Sequence, residues 1–353
     1  MSGRAVVPGV PFAVAIRVRH GPCAALWGAD AMTDPHVLRH VIDSISPASL
    51  AHAEAARRHV AEAGAPMLER LAASLGGAQH TARPRADRRT IVVCAGDHGV
   101  GDPGVALGAA HPTAVAAHAI ADGSAALARV ARASRASIVL VDAGAREPGA
   151  MPACAVPLGR GPGHDLMAGP AMTVVDAALA LEAGIALAVS LADDGLDVLG
   201  VGALGLGAEV ASAALLGAAL GAPPTGLGDP VAEAAGAKGA ALGGAGALEL
   251  LAAFGGPETG VLAGLLLAAA SINVPVILDS YATGAAALVA AALAPHVTGY
   301  LVAGHVGGFT HPRILVHLGL HPVFEVGLGH GEGTGGALVL PLIDQVTSLA
   351  SRG

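Results

Sequence analysis

The fold is decided by one stretch, Ile91-Val92-Val93-Cys94-Ala95 followed by Gly96-Asp97-His98-Gly99. Five uncharged residues in a row, three of them β-branched, are typical of a short strand that is buried on both faces. The glycines on either side of Asp97 and His98 predict a tight turn directly after this strand. A buried strand that ends in a polar turn indicates the first half of a βα unit.

The same unit recurs along the chain. Further aliphatic runs that end in a polar or glycine-rich turn are Ile138–Val141, Val198–Val201, Val274–Leu278 and Gly299–Ala303. Ala-rich helical segments separate these runs, and this alternation predicts an α/β fold, a Rossmann-like parallel sheet with helices on both faces. Ligands of such sheets bind outside the carboxyl ends of the strands, so we expect Asp97, Asp142 and Asp279 at the ligand edge.

The two ends of the chain lack strand patterns. Ala51–Leu75 is helical in pattern with breaks at Gly64 and Pro66, and Ala337–Leu349 also indicates a helix. We therefore predict three parts: an irregular leader over residues 1–33, a small helical domain from 34–80 and 337–353, and an α/β catalytic domain over 81–336.

Composition narrows the class of protein. Of 353 residues 53% are apolar, but only 2% are aromatic and 51 are glycine, so the core must come from closely approaching helices and short aliphatic strands. The net charge of -8, without a cluster of Lys and Arg, argues against a nucleic-acid partner. Three widely spaced cysteines show neither a disulfide framework nor metal-ligand spacing, and they fit a reducing cytoplasm.

One uncharged stretch, Gly260–Leu278, is nominally long enough to span a bilayer. Asn273 and Pro275 divide it, flanking positive charges and an aromatic belt are missing, and its second part has the pattern of a buried strand. We expect a helix that ends near Ser271, followed by a strand, and no interaction with a membrane.

Two glycine-rich loops are candidates for the functional site. Gly202-Ala203-Leu204-Gly205-Leu206-Gly207 follows a strand and precedes a helix, where glycines let backbone N–H groups approach a phosphate. A purely structural turn explains this loop equally well, because its spacing does not match a dinucleotide fingerprint.

The second loop is Gly331-Glu332-Gly333-Thr334-Gly335-Gly336, which places one carboxylate among small residues before an apolar helix. Surface loops also contain such glutamates. The apolar helix favours a Glu332 side chain that points into a cleft, where a carboxylate is suited to general-base catalysis.

The histidines are weaker candidates. His98 beside Asp97 could be catalytic or a ligand, but a pair that stabilises the turn is the favoured interpretation. His317 and His321 are four residues apart, yet Gly319 and Pro322 argue against a shared helix. From the residues alone these two, like His305 and His311, are interpreted as surface or turn residues, and we expect no metal site and no cofactor.

Several stretches together resemble the nicotinate-nucleotide:dimethylbenzimidazole phosphoribosyltransferase family. The matching stretches, in the family's order, are Ala95-Gly96-Asp97-His98-Gly99-Val100, Val141-Asp142-Ala143-Gly144, Gly169-Pro170-Ala171-Met172-Thr173, Leu181-Glu182-Ala183-Gly184-Ile185, Phe254-Gly255-Gly256-Pro257-Glu258, Val274-Pro275-Val276-Ile277-Leu278-Asp279 and Gly331-Glu332-Gly333-Thr334-Gly335. They cover the chain from about Leu68 onward.

This resemblance implies a homodimer that takes nicotinate mononucleotide as donor and a benzimidazole-like aromatic base as acceptor, for the lower ligand of cobamides. It implies that Glu332 is the catalytic base that removes a proton from the acceptor nitrogen. The resemblance and the two loops together predict these substrate-binding residues: Asp97, His118, Gly202, Gly205, Gly207, Lys238, Asp279, His311, Gly331, Gly333 and Thr334.

The chain departs from the family in the first loop. The family's Gly-Glu-Met-Gly-Ile-Gly-Asn-Thr-Thr stands here as Gly202 to Val210, with Ala203 in place of the acid and Ala208-Glu209-Val210 in place of Asn-Thr-Thr. Three interpretations stay open: an active transferase with a changed donor or base, one subunit of a heterodimeric transferase, or a binder of bases or nucleotides without activity.

Overall fold

A six-stranded parallel sheet forms the centre of the molecule. The computed structural model describes residues 35–328 and 331–351, so the predicted leader over 1–33 lies outside the described residues. The strands are β1 (Arg89–Gly96), β2 (Ser137–Gly144), β3 (Val156–Pro157), β4 (Val198–Leu204), β5 (Val276–Leu278) and β6 (Leu301–Ala303). Their order across the sheet is β3-β2-β1-β4-β5-β6, and every neighbouring pair is parallel.

This topology confirms the predicted Rossmann-like α/β fold. Strand β1 lies at the centre, where Ile91 is in register with Ile138 of β2 and with Gly200 of β4. Chain order runs outward in both directions from the boundary between β1 and β4, which makes that boundary the switch point where α/β sheets bind ligands. The short edge strand β3 was not predicted, because two residues that include a proline carry no strand pattern.

Thirteen α-helices are present in the described part of the chain. They are α1 (Pro35–Ser44), α2 (Leu50–Val60), α3 (Pro66–Ala78), α4 (Pro112–Ala121), α5 (Ala126–Ala133), α6 (Val174–Asp193), α7 (Ala208–Leu220), α8 (Pro230–Ala241), α9 (Ala247–Phe254), α10 (Pro257–Ser271), α11 (Tyr281–Leu293), α12 (His311–His317) and α13 (Thr334–Ala350). Gly64 lies between α2 and α3, α3 begins at Pro66, and α13 spans the predicted C-terminal helix.

Both faces of the sheet are buried, because alternate residues of β1 belong to different clusters of the core. Val92 and Cys94 pack in the cluster formed by α6, α10 and α11. Ile91 and Val93 pack in the other cluster, together with apolar residues of α3, α5 and α13. A strand covered by helices on both sides has no polar face, which explains why its sequence is uniformly apolar.

The helices from the two ends of the chain pack against each other. Leu71 and Leu75 of α3 lie in one cluster with Leu340 and Ile343 of α13. The same cluster contains Ile91 of β1, so these terminal helices also cover one face of the sheet. The division of the chain into a separate helical domain and a catalytic domain stays a prediction.

The apolar stretch Gly260–Leu278 divides into α10 and β5, and the helix ends at Ser271 as predicted. A different helix, α6, is the one helix among the described residues that is long and apolar enough to cross a membrane. Of its most apolar window 56% is buried inside the protein, where it packs against α10. Core helices of soluble proteins have the same length and composition, so this single helix is weak evidence for a span.

Glycines let the helices approach each other closely, as the composition predicted. A Cβ atom on Gly184 of α6 would collide with the backbone of Val261 in α10, and one on Gly264 of α10 would collide with the backbone of Leu181. Helices α7 and α8 pack in the same way, because a Cβ on Gly239 would collide with the backbone of Ala214. Small residues thus replace large side chains as the means of filling the core.

We predict that Gly184→Ala lowers the free energy of unfolding by about 1–3 kcal/mol, because the added methyl group meets backbone atoms that cannot rotate away. Gly149→Ala is the control, since a Cβ there has no atom within 4 Å. Urea denaturation measures both. In an unpacked helix, Gly→Ala stabilises by about 1 kcal/mol. A Gly184→Ala variant more stable than the wild type would therefore contradict the close packing.

Candidate active site

The loop that carries Glu332 lies directly on the end of β4. A Cβ atom on Gly202 would collide with the backbone of Glu332, so the glycine makes this approach possible. The backbone N–H of Ala203 donates to the carbonyl of Gly331 at 2.9 Å. The two glycine-rich loops that were predicted separately are therefore in contact, and the contact at position 203 uses only the main chain.

Asp279, at the end of β5, holds the same loop from the other side. Its side chain is completely buried. One carboxylate oxygen accepts from Gly333 N at 3.0 Å, and the other accepts from Gly336 N at 2.7 Å. Gly333 has a φ of 104°, a conformation that favours glycine. Asp279 thus fixes the loop, and its predicted contact with a substrate stays a prediction.

Glu332 itself is half-buried just before α13 begins. The hydroxyl of buried Thr334 donates to Glu332 Oε1 at 3.1 Å, which orients the carboxylate. A negative charge at this position also interacts favourably with the positive end of the helix dipole. The geometry presents one oriented carboxylate on a loop with three backbone anchors, an arrangement that can accept a proton from a bound ligand.

Asp97 fixes the loop between β4 and α7. Its buried carboxylate accepts from Leu206 N at 2.9 Å, Arg146 N at 2.8 Å and Thr113 Oγ1 at 2.6 Å. The loop needs its glycines, because Gly207 has a φ of 82° and a Cβ on Gly205 would collide with the carbonyl of Gly96. These packing requirements explain Gly202, Gly205 and Gly207 without a ligand, and their contact with a phosphate stays a prediction.

The interpretation of His98 as the partner of Asp97 was wrong. His98 Nε2 lies 2.8 Å from Oε1 of Glu258, at the start of α10, and both side chains are buried. Burial is the largest effect and opposes both charges, but the partner's charge and the hydrogen bonds together outweigh it: the pKa of His98 is raised above 6.5 and the pKa of Glu258 is lowered below 4.5. This ion pair connects the turn after β1 to α10. In the sequence, the one signal for it was the Gly-Gly-Pro-Glu stretch at the start of α10.

Glu209, the acidic residue in the altered loop, binds the segment after β6. Its Oε1 accepts from Thr310 N at 3.0 Å and from Thr310 Oγ1 at 2.6 Å. Burial raises the pKa of Glu209 above 4.5, and the hydrogen bonds from Thr310 partly oppose that shift. The carboxylate thus uses hydrogen-bond donors of the protein, an arrangement that sequence reasoning missed because the two residues are 101 positions apart.

The prediction that His305 and His311 are surface or turn residues was wrong. Both side chains are completely buried: His305 lies against Gly335 at the start of α13, and His311 lies against Gly284 of α11. The His305 ring occupies the space where a Cβ on Gly335 would stand. His311 Nδ1 accepts from Gly307 N at 3.1 Å. His317 and His321 are exposed and share no helix, as predicted.

Two other predicted residues contact main-chain carbonyls. His118 is exposed on α4, with its Nε2 2.9 Å from the carbonyl oxygen of Ala150. Lys238 of α8 donates to the carbonyl oxygens of Leu166 and Met167. The structure therefore gives each a local partner, and their predicted contacts with a base or a phosphate stay predictions.

A cavity of about 490 Å³ opens beside the ends of β1 and β2 rather than at Glu332. The segment after β3 and helices α6 and α10 form its walls, and Arg146 and Arg160 are among its lining residues. Glu332 does not line this cavity. The predicted apolar cleft around Glu332 therefore stays a prediction, and we place the candidate active site by the geometry of its loop.

The fold and the loops match known proteins over nearly the whole chain. A model of the phosphoribosyltransferase family matches residues 45–352. A nicotinate-nucleotide–dimethylbenzimidazole phosphoribosyltransferase from Desulforudis audaxviator is 34% identical over 336 residues, which cover 90% of this chain and 95% of that protein. One with the same name from a Roseiflexus species is 36% identical over 302 residues, 78% of this chain and 82% of the relative.

A solved structure agrees with these relatives. The crystal structure of the nicotinate-nucleotide–dimethylbenzimidazole phosphoribosyltransferase from Thermus thermophilus superposes with a TM-score of 0.72 and 29% identity, and the match covers 90% of this chain and 96% of that one. The chain is thus an enzyme of the phosphoribosyltransferase class, a class of pentosyltransferases. Within that class, it belongs to the nicotinate-nucleotide–dimethylbenzimidazole phosphoribosyltransferase family.

We predict that His98→Ala lowers the free energy of unfolding by about 3–5 kcal/mol at pH 6, because it leaves the Glu258 carboxylate buried without its cation. Urea denaturation measures this loss. The control is the double variant His98→Leu/Glu258→Leu, which removes both charges and should lose less. If the double variant were as unstable as His98→Ala, the packing around these side chains, and not their charges, would account for the loss of stability.

The stability from this pair should also depend on pH. Glu258 has a lowered pKa, so its contribution is complete above about pH 4.5 and is lost as the pH falls through the folded value. His98 has a raised pKa, so its contribution is complete below about pH 6.5 and is lost as the pH rises through the folded value. The free energy of unfolding of the wild type, relative to that of the double variant, should therefore be highest between about pH 4.5 and pH 6.5. Denaturation curves recorded across the pH range measure this difference.

Proposed function

We propose that this chain transfers the phosphoribosyl group of nicotinate mononucleotide to a nitrogen of a benzimidazole-like base. The product would be an α-ribazole-phosphate-type nucleotide for the lower ligand of cobamides. The names of the relatives and of the solved structure support these substrates. The observation that carries the proposal is the Glu332 carboxylate, oriented by Thr334 on a loop that Asp279 and Ala203 hold in place.

The chemistry requires one proton acceptor. A benzimidazole has one N–H and one nitrogen with a free electron pair. As Glu332 accepts the N–H proton, electron density shifts to the second nitrogen, which forms a bond to C1′ of the ribose. The bond from C1′ to the pyridine nitrogen of nicotinate breaks, and its electron pair leaves with nicotinate. The ribosyl centre has oxocarbenium character between these two events.

Positioning is the main contribution of the protein to this step. General-base catalysis requires the carboxylate within hydrogen-bond reach of the proton that it removes. The loop at Glu332 has little freedom, because its backbone is bonded at Gly331, Gly333 and Gly336. The other predicted contacts, among them Lys238 and the glycines after β4, belong to this proposal, as does assembly as a homodimer in the cytoplasm.

The altered loop from Gly202 to Val210 still supports the loop that carries Glu332. Ala203 contacts Gly331 through the backbone, so the loss of the family's acidic side chain leaves this anchor intact. Glu209 is bonded to Thr310, in the segment after β6. These contacts favour an active enzyme over a binder without activity, because the bonds that hold the Glu332 loop do not use the side chains that differ.

We predict that Glu332→Gln lowers the turnover number by at least about 100-fold, because the amide cannot accept the proton. The purified chain is incubated with nicotinate mononucleotide and a panel of bases, and mass spectrometry detects free nicotinate and the new ribotide. Glu62→Gln, a change at an exposed glutamate between α2 and α3, is the matched control and should retain full activity.

The same assay separates the alternatives. Turnover that appears only after a homologous chain is added would indicate one subunit of a heterodimeric transferase. A shift of the melting temperature by a base or nucleotide without any turnover would indicate a binder. Full activity of Glu332→Gln would contradict the role of Glu332 while leaving the transferase assignment in place.

A further inference from the structure

A second buried group lies behind the loop of Glu332. His305, two residues after β6, has its Nε2 3.6 Å from Oδ1 of Asp279. Both side chains are completely buried. The same Asp279 oxygen accepts the hydrogen bond from Gly336 N, and the other accepts from Gly333 N. His305 is therefore next to the group that fixes the Glu332 loop.

The hydrogen bond of His305 to Val306 decides its tautomer. Its Nδ1 lies 2.7 Å from the carbonyl oxygen of Val306. A carbonyl oxygen only accepts, so Nδ1 must carry a hydrogen. In the neutral ring, Nε2 would then direct its lone pair toward the carboxylate of Asp279, which is repulsive. The imidazolium avoids this repulsion, because it has a hydrogen on both nitrogens.

The charged and titratable groups around His305 are consistent with one positive charge on its ring. Asp279 faces it from the end of β5, and the His311 ring from α12 is 6.4 Å away edge-on. Gly335 of α13 has no side chain, so the His305 ring lies directly against its backbone. Glu332 is on the loop that Asp279 holds, and Glu209 reaches this segment through Thr310. The Asp279 carboxylate is the anion in ion-pair distance of the ring.

The pKa directions agree with this geometry. Burial alone would lower the pKa of His305, but the nearby Asp279 carboxylate and the Val306 carbonyl raise it above 6.5. Burial lowers the pKa of His311 to about 4, and the charge on His305 adds to that shift. Both directions favour a charged His305 ring beside a neutral His311 ring.

We infer that His305, as an imidazolium, is a positioning residue for Glu332: it balances the buried Asp279 carboxylate, whose two oxygens hold the catalytic loop. The inference rests on the proposed role of Glu332. His305 acts through Asp279 and the loop backbone rather than through the substrate. When His305 loses its proton, Asp279 becomes a buried carboxylate without a counter-charge, which is costly, and the loop conformation that keeps Asp279 buried is destabilised.

The consequence is a fall in turnover on the alkaline side. A group with a raised folded pKa contributes fully below its unfolded value of 6.5 and loses its contribution as the pH rises through the folded value. As the pH rises through the folded pKa of His305, the turnover number should fall, because Glu332 is displaced from the acceptor nitrogen. KM should change little, because His305 does not contact the substrate in this arrangement.

The test compares kcat and KM from pH 6 to pH 10 for the wild type, His305→Gln and His317→Gln. We expect His305→Gln to lower kcat by roughly 10- to 100-fold, the scale of a displaced catalytic group, and to lose the alkaline fall. His317→Gln is the control, since it replaces an exposed histidine at the end of α12, outside the predicted site. An alkaline fall that persists in His305→Gln, or that disappears in His317→Gln, would overturn the inference.

A second measurement does not depend on turnover. Histidine side-chain NMR follows the titration of His305 in the wild type, with the signal assigned by its loss in His305→Gln or, if that variant does not fold, in His305→Asn. We expect a pKa above 6.5 that falls in Asp279→Asn. A His305 that titrates below 6.5 would refute the positioning role even if the enzyme is active. The expected titration in a chain without turnover would instead show that the proposed function has failed.

Discussion

The contact on which the candidate site depends is the one between the Asp279 carboxylate and two backbone N–H groups, those of Gly333 and Gly336. This side chain is completely buried, so its charge has to be compensated by hydrogen bonds and by a nearby cation. The loop satisfies the first requirement and His305 the second. This carboxylate, together with the backbone bond from Ala203 to Gly331, therefore determines where Glu332 lies.

Close backbone approach is the constraint that connects this site to the whole fold. Gly202 lets the Glu332 loop lie on β4, for the same reason that Gly184 and Gly264 let α6 and α10 lie against each other. A core of this type needs few large side chains, which explains a composition with 51 glycines and 2% aromatic residues. Its stability depends on fit between backbones, and a single added methyl group disturbs that fit.

Local patterns predicted much of the site, and they failed where distant segments meet. Glu332, Asp279 and Gly202 were predicted because each follows a strand or lies in a glycine-rich loop, and parallel strands bring such residues to one edge. Local signals did not show that His98 pairs with Glu258, 160 positions away, or that His305 lies beside Asp279. A histidine in a glycine-rich segment has the same local pattern whether it is exposed or buried.

The sequence by itself determined the α/β class, the parallel sheet, the family and the loop that carries the candidate base. These properties follow from hydrophobic periodicity and from motifs of adjacent residues, and both are local. The tertiary structure alone decided which carboxylates are held by backbone amides, which histidines are buried and which of them lie beside a carboxylate. Those outcomes depend on distances across the fold and on exclusion of water, and neither is encoded in the spacing of residues along the chain.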